Sequence, residues 1–89
     1  MVEKTAIVKS ANGLHARPCT EIYKKAKEYE DTEILLVDVS SGETYNTNSI
    51  MSLLTSFKIH GEPVIVRATG KYEKEAVEEI ATIIETFEI

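Results

Sequence analysis

Asn12-Gly13-Leu14-His15-Ala16-Arg17-Pro18 is the stretch on which the chain turns from strand to helix. Gly13 permits a tight turn that other residues resist. Pro18 suits the first turn of a helix, where the N–H it lacks would be unpaired anyway. The spacing therefore predicts a helix opening near His15 or Ala16. Upstream, residues 2–9 read as a first strand with imperfect alternation. Downstream, Cys19, Ile22, Tyr23, Ala26 and Tyr29 recur at three- and four-residue spacing, so one helix face packs inward. Lys24, Lys25 and Lys27 fall in the C-terminal half, where cations suit the helix dipole.

Working outward, residues 33–39 hold Ile34-Leu35-Leu36-Val37 and Val39, a second strand. Ser40-Ser41-Gly42 is a hairpin signal, and residues 43–47 return as a short third strand. Asn48 and Ser49 are candidate caps for a short apolar helix that carries Ile50, Met51, Leu53, Leu54 and Phe57. Pro63 to Ala68 forms the last strand, ended by Gly70. Residues 72–87 form the last helix. Ala76, Val77, Ile80, Ala81, Ile83, Ile84 and Phe87 make its apolar stripe, with Glu73, Glu75, Glu78 and Glu79 outside. The order β-α-β-β-α-β-α predicts an α+β fold, a single antiparallel or mixed sheet of about four strands with helices on one face and the other face able to stay open to water.

The chain has 89 residues, with ten Lys and Arg against fifteen Asp and Glu, a net charge of −5. One domain spanning 1–89 is expected. The acidic balance argues against nucleic acid as a partner. A single cysteine, Cys19, cannot staple the fold, which suits a reducing compartment. No stretch approaches the length of a membrane span and no secretory h-region opens the chain. A cytoplasmic location and no membrane insertion are the expectations.

The chemistry concentrates at His15. A neutral imidazole nitrogen is a nucleophile for phosphorus, and the ring leaves well once protonated. The start of a helix offers free amides, here those of Ala16 and Arg17, and a positive dipole end. Arg17 adds a planar fork matched to phosphate oxygens. From spacing alone, however, a lone histidine at a helix start is by default a capping or surface residue. His60, in a polar loop beside Gly61, reads as surface. Metal binding is poorly supported, because two histidines and one cysteine lack ligand spacing. Cys19 falls on the inward face and reads as core. Ser49 is most simply a cap, and also an accessible hydroxyl whose phosphorylation would add local negative charge. The Ile50–Leu54 helix is apolar on more than one side. It is either all core or partly exposed as an adaptable docking patch. Arg17, Lys24 and Lys27 share one side of the first helix, a basic stripe able to steer acidic partners; a merely solvated face is at least as common.

Gly13-Leu14-His15-Ala16-Arg17-Pro18 resembles the active-site signature of the HPr family, histidine-containing phosphocarriers of the bacterial phosphoenolpyruvate-dependent phosphotransferase system. Ser49-Ile50-Met51 resembles the start of that family's second helix, and the likeness spans essentially the whole chain. It implies an open-faced β-sandwich, a four-stranded antiparallel sheet with three helices on one face. It implies that His15 accepts phosphate at Nδ1 from phosphorylated Enzyme I and passes it to an EIIA domain, with Arg17 and Ala16 at the site. The protein would be a stoichiometric carrier, not an enzyme, with no cofactor, and a monomer. Its docking surface would include Asn12, Thr20, Lys24, Lys27, Ile50, Met51 and Leu54. In some members an HPr kinase/phosphorylase modifies the serine matching Ser49, and a catabolite-repression regulator binds the product. The run Asn48 to Leu54 is closer to the family's nitrogen-related branch. A regulatory module working through Ser49 is the competing class.

Overall fold

The computed structural model describes residues 1–8, 16–29, 31–39, 41–54 and 63–86, without the side chains of 16–18 and 54. Seven elements follow the expected order: β1 (Val2–Ile7), α1 (Ala16–Lys27), β2 (Thr32–Asp38), β3 (Thr44–Asn46), α2 (Ile50–Leu54), β4 (Pro63–Gly70) and α3 (Glu73–Thr86). The strands form one antiparallel sheet in the order β1-β4-β2-β3. The two chain-distant strands β1 and β4 are thus neighbours, and β4 is inserted between β1 and β2. The fold is the four-stranded antiparallel sheet with three helices that the family resemblance implies. His60 and Phe57 lie outside the described residues.

Alternation decides which sheet face the helices cover. Ala6, Ile34, Leu36, Val64, Val66 and Ala68 are buried beneath the helices. From above, α1 contributes Cys19, Ile22 and Ala26, α2 contributes Leu53, and α3 contributes Ala76, Val77, Ile80, Ala81 and Ile84. This core is aliphatic, as a chain without tryptophan requires. Burying each such side chain contributes about 1.5–3 kcal/mol.

The β2–β3 hairpin closes as its Ser-Ser-Gly signal predicts. The Gly42 amide donates to the Asp38 carbonyl at 2.7 Å, and Gly42 takes φ +77°, a conformation open to glycine. The third strand is shorter than expected, although bonds to β2 flank it, the Asp38 amide donating to the Glu43 carbonyl at 2.9 Å and the Thr47 amide to the Ile34 carbonyl at 3.2 Å; on its outer edge the Asn46 amide donates to the Ser52 hydroxyl, 3.1 Å away. Thr47 then drops into the core, fully buried, and its hydroxyl donates to the Ile34 carbonyl at 2.8 Å. At the other end, Gly70 passes so close to Asp31 that a Cβ there would lie 2.2 Å from the Asp31 carbonyl oxygen. The α3 start is fixed by two bonds. The Tyr72 amide donates to the Thr32 hydroxyl at 2.9 Å, and the Gly70 amide donates to the Glu73 carboxylate at 3.2 Å.

Candidate functional site

The strand-to-helix corner is positioned by α1, which begins at Ala16. The first amides of any helix have no intrahelical acceptor and face outward from its positive end. Ala16 and Arg17 occupy those positions. His15 and Asn12 lie outside the described residues, as do the side chains of Ala16, Arg17 and Leu54.

The polar residues of α1 divide by face. Thr20, Lys24 and Lys27 are exposed and recur at helical spacing. Neither Lys24 nor Lys27 forms an ion pair among the described residues; Lys27 instead holds its ammonium 4.8 Å from the Tyr23 ring centroid. Lys25 points the other way, towards α3. Its ammonium lies 3.0 Å from Glu79 and 3.3 Å from Glu28. Those hydrogen bonds, Glu79 first, raise the Lys25 pKa above its ordinary value. The Lys25 and Tyr29 hydrogen bonds hold the Glu79 carboxyl below its ordinary value.

Beside α1 lies α2, and the two pack together. Cys19 is fully buried at this joint, and its thiol donates to the Leu53 carbonyl 3.3 Å away. That carbonyl sits in the last turn of α2. Cys19 is therefore a core residue, as its inward spacing predicts. The two readings of the short helix are both partly met: Leu53 is fully buried, Ile50 is half-buried, and Met51 is 70% exposed. Ser49 caps α2, its hydroxyl accepting the Ser52 amide at 3.2 Å. Asn48 is not the cap; its amide donates to the Asn46 side chain at 2.9 Å.

Sequence spacing did not find the Cys19–Leu53 bond or the Ser52 acceptor. Both join residues from different elements, and no local pattern reports such a pairing. A shallow hollow of about 290 Å³, lined by Ala26, Lys27, Tyr29 and Asn48, lies at the C-terminal end of α1. It is roughly 15 Å along the helix from Ala16. Among the described residues no cluster of His, Cys, Asp or Glu is able to hold a metal ion. None of the described helices is long and apolar enough to cross a membrane.

The open-faced sandwich thus starts its first helix one residue after His15 and sets a second short helix alongside. The comparisons agree. A family model described as "PTS HPr component phosphorylation site" matches residues 2–86. The phosphocarrier protein HPr of Borreliella burgdorferi is 40% identical over 98% of this chain and 98% of its own. That of Vibrio cholerae is 33% identical over 96% of each. Among solved structures, HPr from Thermoanaerobacter tengcongensis superposes with a TM-score of 0.83 at 28% identity, covering 94% of this chain and 91% of the other. The chain belongs to the HPr family, the phosphocarriers of the phosphotransferase system.

Proposed function

We propose that His15 is the phosphoryl acceptor, charged by phosphorylated Enzyme I and discharged onto an EIIA component. The observation that carries this is the start of α1 at Ala16, one residue after the histidine. In the charging step the Nδ1 lone pair attacks phosphorus and the bond to the Enzyme I nitrogen breaks. In the discharging step the acceptor histidine on EIIA attacks and the bond to Nδ1 breaks. The Ala16 and Arg17 amides and the Arg17 guanidinium hold the phosphoryl oxygens, where charge is greatest. The protein is regenerated in each cycle, as a carrier working in the cytoplasm and not as an enzyme.

The exposed face of α1 and α2 supports a docking role. Thr20, Lys24 and Lys27 are exposed, the two lysines have no carboxylate partner among the described residues, and Met51 is exposed on α2, which packs against α1. We assign Asn12, Ile50 and Leu54 to the same surface. Unpartnered cations beside an adaptable thioether suit acidic partners of differing shape.

Incubation with phosphoenolpyruvate and Enzyme I tests the reading. The wild type should take up one acid-labile phosphate, and His15→Ala none. Equal incorporation by both would refute it.

A second reading is favoured by the Ser49 cap. Its hydroxyl stands at the start of α2 next to exposed Met51. A phosphate there would keep the cap but add charge to the docking surface. It would make the carrier a substrate of an HPr kinase/phosphorylase and, once modified, a ligand of a catabolite-repression regulator. An ATP-dependent kinase that leaves Ser49 unmodified counts against this.

A further inference from the structure

We propose that Tyr23 is a positioning residue for docking: its ring holds the Lys27 ammonium where a partner's carboxylate meets it. This rests on phosphoryl transfer through partners docked on α1 and α2. The three lysines of α1 stand in three different states. Lys25 is tied to Glu79 and Glu28. Lys24 is exposed and held by no ion pair or ring among the described residues. Lys27 is exposed too, but its ammonium sits 4.8 Å from the Tyr23 ring centroid. Residues four apart meet on one side of a helix, and the negative face of an aromatic ring attracts a cation.

The ring is a fixed platform. Tyr23 is half-buried and packs against the core, so it cannot follow the lysine. The other end of the lysine is fixed as well. Lys27 is the last residue of α1, and the chain closes around it. The Glu28 amide donates to the Lys25 carbonyl at 3.0 Å and the Tyr29 amide to the Ala26 carbonyl at 3.1 Å. With backbone and ammonium both held, the flexible stem between them loses freedom before a partner arrives. An unheld lysine loses that freedom only on docking, which weakens the complex.

Placement gives the held charge its use. Lys27 and Asn48 line one hollow, and Asn48 directly precedes the Ser49 cap of α2. The ammonium therefore borders both halves of the docking surface, the cations of α1 and the segment that opens α2. The ring takes one side of it and leaves its remaining donors open to solvent. A carboxylate is the partner group that fits, because it gains a charge-assisted bond to an ammonium already in place.

A double-mutant cycle on the KM of Enzyme I for the carrier tests it. Tyr23→Leu should raise KM about two- to fivefold with kcat unchanged, and Tyr23→Phe should keep the wild-type value. In a Lys27→Met background, Tyr23→Leu should change nothing further. A rise that persists without the ammonium, or a fall in kcat in its place, overturns the proposal, because the ring would then act through packing alone. A wild type that takes no phosphate sinks the transfer reading itself; a charged wild type with no coupling between the two residues sinks only this proposal. Should Tyr23→Leu fail to fold, proton NMR of the wild type decides. The Lys27 ε-methylene signals should lie upfield of those of Lys24, shifted by the ring current, both free and bound to Enzyme I. Signals equal to those of Lys24, or released on docking, overturn it as well.

Discussion

The two helical flanks of the molecule use their charged side chains in opposite ways. Along α3, carboxylates are tied to the rest of the fold: Glu78 to Lys4 at 2.7 Å, Glu79 to Lys25 at 3.0 Å, and Glu85 to the Ile7 amide at 3.2 Å. Along the outer face of α1, Lys24 and Lys27 have no carboxylate partner among the described residues, and Met51 is exposed on the neighbouring α2. One flank is a structural seam, while the other leaves its cations and its thioether facing outward. The contrast teaches where partners are to be sought on a domain without a deep pocket. It also predicts that stability and transfer are separable by mutation.

The largest effect on stability belongs to the α3 flank. Ile80 is fully buried, and Ile80→Ala should cost about 2–5 kcal/mol in denaturant unfolding. The residual folded protein should still accept phosphate, because Ile80 neighbours Glu79, whose partner Lys25 lies about 14 Å along α1 from Ala16. An α3 core variant that keeps its stability but loses transfer would break the contrast. Reversing both outward lysines, Lys24→Glu with Lys27→Glu, should do the opposite. Transfer from Enzyme I should slow by about tenfold or more at low salt, with the unfolding midpoint nearly unchanged. The loss should shrink as salt screens the encounter.

Ser49→Ala sharpens the boundary between the flanks, since the cap serves structure inside the docking surface. Removing it should cost about 1 kcal/mol, read as a shift in the unfolding midpoint. The smallest effect is the pH response of the α1–α3 seam. Glu79 is held below its ordinary pKa by Lys25 and then Tyr29. Its contribution is therefore full above the unfolded carboxylate value and is lost as pH falls through the folded one. Lys25 is raised by Glu79 and Glu28, so its contribution is full below the unfolded lysine value and is lost as pH rises through the folded one. Both side chains keep contact with solvent, so the effect is small. Glu79→Gln should flatten the acid limb of a thermal-stability profile slightly and leave transfer alone.

Much of the fold was legible because local chemistry and tertiary position agree. The apolar stripe of α3, the Ser-Ser-Gly hairpin and the β4 strand each carry their own signal, and each lies within a residue or two of its expected bounds. The sheet order was not legible, because the insertion of β4 between β1 and β2 depends on contacts distant in sequence. The run Ile34-Leu35-Leu36-Val37 concealed its two faces. Aliphatic residues point both ways, so alternation could not say that Leu35 and Val37 remain on the open side. At the site, the Gly13–Pro18 motif was legible from residue chemistry and family likeness together. The joint holding α2 to α1 was not: a buried thiol donating to a carbonyl 34 residues away leaves no local mark.

The account stands or falls on the residue that carries the phosphate. Phosphorus-31 NMR of the protein after incubation with phosphoenolpyruvate and Enzyme I reads this directly. One resonance of a phosphoimidazole substituted at Nδ1 should appear, vanish in acid, and be absent from His15→Ala. A phosphoserine resonance at Ser49, or a phosphoimidazole signal that survives His15→Ala, would contradict it.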